Sequence, residues 1–251
     1  MIEVNRCHVG QRLLPLSFQL NSGEVLHVIG PNGSGKSTLL AALAGVVPCQ
    51  GSLAIEGASI LCLSLPSQAR LRAYLSQNDR PAFNLTVYQY LALSLPSGVQ
   101  PSEAVVNQAL QELISLLDLQ QKLSRSIHCL SGGEWQRVRI AGSCLQIWPT
   151  LNPCGRLLIL DEPAAPLDVA QERLLYGLIQ RIAAHGIAVI MANHDLNRSL
   201  RYADKVMLLH RGVMHSYGVP TEVLQAENLR QVFDTSIQQV DIAGQPYLIF
   251  D

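Results

Sequence analysis

Charge is scarce in this chain. Only 15% of its 251 residues are Asp, Glu, Lys or Arg, and 18 basic against 19 acidic residues leave a net charge of −1. A general nucleic-acid binder carries a basic excess or stripe, and its absence points away from nucleic acid as a partner. Cysteine shows no organised use: Cys7, Cys49, Cys62, Cys129, Cys144 and Cys154 fall outside any CxxC or Cys/His spacing. That excludes the common zinc motifs and reads as reduced thiols of a cytosolic chain. No apolar run approaches the roughly 20 residues needed to cross a bilayer, and residues 1–6 begin no signal-peptide apolar region. The expectation is a cytosolic protein, or one held at a membrane only through a partner. Aromatic residues make up 5% of the chain, and residues 1–17 contain no Phe, Tyr or Trp. Repeats, low-complexity tracts and linkers are also missing, so 251 residues at 48% hydrophobic content read as one large domain with an ample core.

The stretch Gly30-Pro31-Asn32-Gly33-Ser34-Gly35-Lys36-Ser37-Thr38 dominates what is present. It follows the apolar run 25–29 and leads into a helix-forming run at 39–44, the strand, glycine loop and helix that a phosphate-binding loop requires. The glycines let the backbone turn so that several N–H groups point inward, and the helix N-terminus adds its positive dipole end. Lys36 can then reach the β- and γ-phosphates of a nucleotide, and the Ser37 hydroxyl can ligate Mg²⁺.

The rest of the chain arranges itself around this loop. Alternating segments before residue 29, with a turn at 21–23, predict antiparallel strands, and 51–57 adds another. Residues 72–76 read as a buried strand ending at Gln77. Apolar residues then recur at helical spacing through 87–93, 104–117 and 132–145, with breaks at 96–101 and 124–129. This predicts a helical subdomain inserted into an α/β core. From residue 156, strands at 157–160, 187–192 and 205–209 alternate with helices at 169–184 and from 196, which predicts a mainly parallel sheet covered by helices. Residues 236–250 read as a hairpin around Ala243 and Gly244. The expected organisation is a single domain over 1–251, with the core in about 1–79 and 156–251 and the helical subdomain in about 80–150.

Two further stretches carry chemistry. The strand at 157–160 runs into Asp161 and Glu162. A carboxylate at the C-terminal edge of a strand beside a phosphate loop sits where Mg²⁺ needs a ligand. The next acid, Glu162, can polarise a water for in-line attack on the γ-phosphate. Ser131, Gly132 and Gly133 open the 132–145 helix and form a second natural anion site.

With these motifs in this order, almost the whole chain resembles the ATP-binding subunits of ABC transporters, which are α/β P-loop NTPases. Their LSGGQ signature stands here as Leu130-Ser131-Gly132-Gly133-Glu134, followed by Gln136 and Arg137. The resemblance implies an ABC ATPase fold with a mainly parallel sheet core, an N-terminal antiparallel β subdomain and an inserted α-helical subdomain. It also assigns further roles. Gln77 matches the Q-loop glutamine, which contacts Mg²⁺ and the attacking water and borders the permease-facing surface. Asp168, in Ala165-Pro166-Leu167-Asp168, matches the D-loop of the nucleotide site, with Pro166 where an alanine or serine is more usual. His194, within Asn193-His194-Asp195, matches the switch histidine at the γ-phosphate and joins Glu162 as a catalytic residue.

Two such subunits face each other head to tail around two ATP molecules. Each ATP lies between the Lys36 loop of one copy and Ser131, Gly132 and Gly133 of the other, with ATP binding closing the pair and hydrolysis releasing it. The implied cofactors are ATP and Mg²⁺. The implied partners are a second copy of the chain, two transmembrane permease subunits and, indirectly, a periplasmic binding protein, at the cytoplasmic face of the bacterial inner membrane. One departure concerns the base. Many family members stack adenine on an aromatic residue of the first strands, and here His8 and Arg12 are the nearest candidates.

A single cassette, without a coiled coil or a fused transmembrane segment, implies separate permeases, as in bacterial importers. The added segment 147–155, the run Gly133-Glu134-Trp135-Gln136-Arg137-Val138-Arg139 and the run Leu167-Asp168-Val169-Ala170-Gln171 resemble the ATPases of cobalamin (vitamin B12) import in Gram-negative bacteria. Cassettes for ferric siderophores or haem are the alternative within the class, and a non-transport nucleotide switch is the alternative outside it. Permease docking is expected on residues 78–87.

Overall fold

The computed structural model describes residues 1–77, 80–98, 101–242 and 244–250. Strands β1 (Ile2–Val9) and β2 (Leu13–Leu20) lead into β3 (Val25–Ile29), the phosphate loop and helix α1 (Lys36–Leu43). Strands β4 (Gln50–Ile55) and β5 (Ala58–Ser59), helix α2 (Leu65–Leu71) and strand β6 (Arg72–Leu75) follow. Helices α3 (Val87–Leu93), α4 (Glu103–Leu116) and α5 (Gly132–Gln146) make up the helical stretch. The chain then alternates through β7 (Leu157–Asp161), α6 (Val169–Ala184), β8 (Ala188–Ala192), α7 (Leu196–Tyr202) and β9 (Lys205–His210). It continues through β10 (Val213–Gly218), α8 (Pro220–Val223) and α9 (Ala226–Phe233) to the hairpin β11 (Ile237–Ile242) and β12 (Gln245–Phe250).

Six strands form the central sheet in the order β10-β9-β3-β8-β7-β6, parallel except for β10 at one edge. Every residue of β3, β7 and β8 is buried, because both faces of the sheet are covered. Leu157, Ile159, Ala188 and Ile190 pack with α1 and the antiparallel sheet β2-β1-β4-β5 on one side. Leu158, Leu160, Val189 and Met191 pack with α5 and α6 on the other. Period-two alternation between two apolar environments explains why these strands read as unbroken apolar runs. The parallel arrangement brings the carboxyl ends of β3, β8, β7 and β6 side by side, and the candidate site residues emerge there.

The fold class expected from the sequence is the one observed. Helix α2, strand β10 and helices α8 and α9 escaped that reading. In α2 only Gln68 is buried, so there is no apolar stripe to detect; its Nε2 donates to Leu63 O (3.0 Å) and its Oε1 accepts from Arg72 (2.8 Å). Strand β10 and helices α8 and α9 pack around β9 at the far edge of the sheet. The added segment after α5 buries Trp148 and Leu151, and Asn152 Nδ2 donates to Arg70 O and Gln146 O, both at 2.8 Å, tying α2 to α5. Residues 78 and 79 of the expected docking surface, 99 and 100 of an expected break, and Ala243 of the expected hairpin turn lie outside the described residues.

Candidate nucleotide site

At Gly30 (φ 157°) an added Cβ would lie 2.1 Å from Leu209 O, so only glycine fits between loop and sheet. Gly35 (φ 104°) is the N-cap of α1, and no side chain caps the first-turn N–H groups there. Lys36 is only 5% exposed, and its Nζ donates to Gly30 O (2.8 Å) and Pro31 O (3.2 Å). Burial lowers the Lys36 pKa, opposed by the charges of Glu162 and Asp161. Ser34 Oγ is buried without a partner. A desolvated ammonium, uncapped amides and an orphaned hydroxyl are the groups an anionic oxygen satisfies, so the loop fits a phosphate.

Ser37 Oγ donates to Asp161 Oδ1 at 3.2 Å. Asp161 is buried at the end of β7, and that burial raises its pKa despite the Ser37 hydrogen bond. Two hard oxygen donors, one of them an undercompensated carboxylate, fit Mg²⁺. Asn32, Gly33, Ser34, Gly35, Lys36, Ser37 and Thr38 line a cleft of about 620 Å³ together with Gln77 and Glu162. Gly30, Pro31 and Asp161 support this lining without forming part of it.

Glu162 has φ 49°, a left-handed conformation that costs a non-glycine residue about 1 kcal/mol. In this conformation its Oε1 lies 2.5 Å from His194 Nε2. His194 sits on the turn after β8, and Asn193 anchors that turn. Asn193 Nδ2 donates to Tyr176 OH (3.0 Å) and lies 3.3 Å from both His27 Nδ1 and Ser199 Oγ, while its Oδ1 accepts from Asp195 N (3.1 Å). Burial pushes the His27 pKa down to about 3, so this core network is neutral.

Ser131, Gly132, Gly133 and Asp168 do not reach the Lys36 cleft within one chain. Ser131 is the N-cap of α5 in a reciprocal capping box: its Oγ accepts from Glu134 N (3.2 Å), and Glu134 accepts from Ser131 N (2.9 Å). The glutamate that replaces the usual glutamine therefore keeps the capping role. It also pairs with Lys122 (2.6 Å) and Arg125 (3.7 Å). Hydrogen bonds from Lys122 and the Ser131 amide hold its pKa down to about 2. Gly133 packs against the Asp168 turn, where an added Cβ would lie 2.6 Å from Gln171 Oε1 and 3.1 Å from Pro166 O. Asp168 itself caps α6, accepting from Gln171 N at 2.8 Å.

Gln11, Arg211 and Gly212 had no sequence signal and complete the cleft lining together with Arg12, one of the two base candidates, whereas the other, His8, bonds to Arg6 O and takes no part in it. From the buried helix α5, Gln136 Nε2 donates to Pro163 O (3.0 Å) and Arg139 donates to Ser76 O. One helix thus braces both the Glu162 loop and the segment carrying Gln77.

A glycine loop after β3, paired carboxylates after β7 and a histidine after β8, side by side along one sheet edge, define a phosphate-loop nucleotide-binding domain. The family model described as ABC transporter matches residues 13–165; the chain belongs to that family and binds ATP. It is 60% identical over 251 residues, covering all of both chains, to the Vitamin B12 import ATP-binding protein BtuD of Vibrio cholerae serotype O1 (strain ATCC 39541 / Classical Ogawa 395 / O395). It is 58% identical, again over all of both chains, to the protein of that name from Vibrio atlanticus. Among solved structures it resembles the ATP binding subunit of an ABC transporter (TM-score 0.79, 26% identity, 93% of this chain and 96% of the other). It shares its fold with a chain of a metal-chelate type ABC transporter in an inward-facing conformation (TM-score 0.78, 24% identity, 100% and 96% covered). Among the described residues, no helix is long and apolar enough to cross a membrane.

Proposed function

We propose that the chain is the ATP-hydrolysing subunit of an importer that takes up vitamin B12 through separate transmembrane permease subunits. The observation that carries this reading is Glu162 bonded to His194 at the edge of a cleft lined by Lys36 and Ser37. End-to-end similarity to vitamin B12 import ATP-binding proteins supports the cargo.

In this reading Lys36 exchanges its bonds to the loop carbonyls for oxygens of the β- and γ-phosphates, assisted by the uncapped amides of α1. Glu162 accepts a proton from the attacking water, and His194 orients that carboxylate and contacts the γ-phosphate. Ser37, Asp161 and Gln77 would hold Mg²⁺, which when bound neutralises charge on the phosphate oxygens. Because the signature stands apart from the Lys36 cleft, Ser131, Gly132 and Gly133 of a second copy complete each nucleotide site, with Asp168 near the same junction. A permease docks near α3, where Phe83, Tyr88 and Leu93 are exposed. That contact places the chain at the cytoplasmic face of the inner membrane, and a periplasmic binding protein delivers the cargo on the other side.

The test is uptake of labelled vitamin B12 by cells lacking their own import ATPase, complemented with the chain or its Glu162→Gln variant. Restoration by the wild type alone is expected. Absence of uptake, with the protein present and hydrolysing ATP, would overturn the cargo assignment and direct the same assay to ferric siderophores.

A further inference from the structure

Strand β3 carries a single polar residue among apolar ones. His27 is fully buried there, between Leu26 and Val28 and shortly before Gly30. Its Nδ1 lies 2.9 Å from Ser199 Oγ, and its Nε2 has no partner among the described residues. A buried nitrogen without a partner costs stability, and an apolar side chain of similar size would avoid that cost. Stability therefore gives no reason for an imidazole at this position.

The bonds of the cluster fix its hydrogens. Ser199 Oγ donates to Asp195 O (2.9 Å), a group that can only accept, so toward His27 the hydroxyl must accept. His27 is thus the tautomer with its proton on Nδ1. Asn193 Oδ1 accepts from Asp195 N (3.1 Å), which orients the amide and turns Nδ2 toward Tyr176 OH (3.0 Å) and Ser199 Oγ (3.3 Å). The Ser199 hydroxyl then donates once and accepts twice, its full capacity. Asn193 N also donates to Val28 O (3.1 Å). Residues 193 and 195 are in this way pinned on both sides of His194, whose half-exposed side chain reaches Glu162 at 2.5 Å.

We infer that His27 is a positioning residue for hydrolysis, holding Ser199 and, through Ser199 and Asn193, the turn that aims His194 at Glu162. This rests on the role proposed for His194 above. The strand that delivers the phosphate loop and the turn that faces the γ-phosphate share one buried joint. A shift of about 1 Å in such a turn is enough to cost a reaction about 100-fold.

Single-turnover ATP hydrolysis beside equilibrium ADP binding separates this role from a purely structural one, because ADP has no γ-phosphate and reports on the Lys36 loop alone. His27→Leu should lower the hydrolysis rate at least about tenfold and leave the ADP dissociation constant unchanged. Ser199→Ala breaks the same chain of bonds and should show the same split, which keeps the test decisive where His27→Leu does not fold. His27→Asn keeps a donor where Nδ1 stands and should recover most of the rate. In a His194→Ala background His27→Leu should cost nothing further, because the group it acts through is gone. Parallel losses of ADP binding and rate would make His27 a structural part of β3 and overturn the inference. So would wild-type hydrolysis by both His27→Leu and Ser199→Ala, a further loss in the His194→Ala background, or no recovery with His27→Asn. Hydrolysis by His194→Ala at the wild-type rate would instead refute the role proposed for His194, and the inference with it.

Discussion

His194 Nε2 and Glu162 Oε1 meet at 2.5 Å although 32 positions separate them in the chain. The contact depends on the left-handed backbone of Glu162 and on the buried Asn193 network behind His194. It forms between the ends of neighbouring strands β7 and β8, so the sheet itself sets the geometry.

Removing the proton acceptor should therefore separate binding from turnover. Glu162→Gln is expected to bind ATP and to lose at least about 100-fold in kcat. His194→Ala should lower kcat in the same direction. Steady-state ATPase kinetics beside equilibrium ATP binding check both, and normal turnover of Glu162→Gln would exclude it as the base.

Asp161 makes a prediction about pH and stability. Burial raises its folded-state pKa above that of an aspartate in the unfolded chain. Between those two values the folded state binds more protons than the unfolded one, so stability falls as pH rises through that window. At neutral pH the ionised carboxylate is a net cost to the nucleotide-free fold. Asp161→Asn should remove that cost and raise the nucleotide-free Tm, by about 2–4 °C if the relief is about 1 kcal/mol, while Mg²⁺-dependent hydrolysis is lost. A lower Tm in thermal unfolding at pH 7 would contradict this.

Ser131 combines two roles that substitution can separate. Ser131→Ala removes the cap of α5 and should cost about 1 kcal/mol of stability. Ser131→Asp keeps a capping oxygen and should preserve stability, yet it sets a carboxylate against the phosphates of a partner-bound ATP. Both variants, in a Glu162→Gln background, should fail to form an ATP-dependent dimer by light scattering. Dimerisation of the aspartate variant would place the signature away from nucleotide.

Much of this site was legible because its parts are contiguous in sequence. Residues 30–38 form one loop, Asp161 and Glu162 end one apolar strand, and His194 follows another. Strands β3, β7 and β8 announced themselves by burial on both faces. Arg211 gave no signal, because only folding brings the β9–β10 turn beside the phosphate loop. His27 was hidden inside an apolar run, and its partners Tyr176, Asn193 and Ser199 belong to other parts of the chain. Helix α2 was invisible because a polar residue, Gln68, is its buried anchor.

The separation of Ser131 from the Lys36 cleft has a genetic consequence. In the proposed dimer, a mixed pair with Lys36→Ala in one copy and Ser131→Ala in the other should retain one composite site with both parts intact. Placing both substitutions in one copy beside a wild-type partner leaves none. Alleles defective in the two motifs should therefore complement in trans and fail in cis, a pattern that co-expression of tagged copies can score.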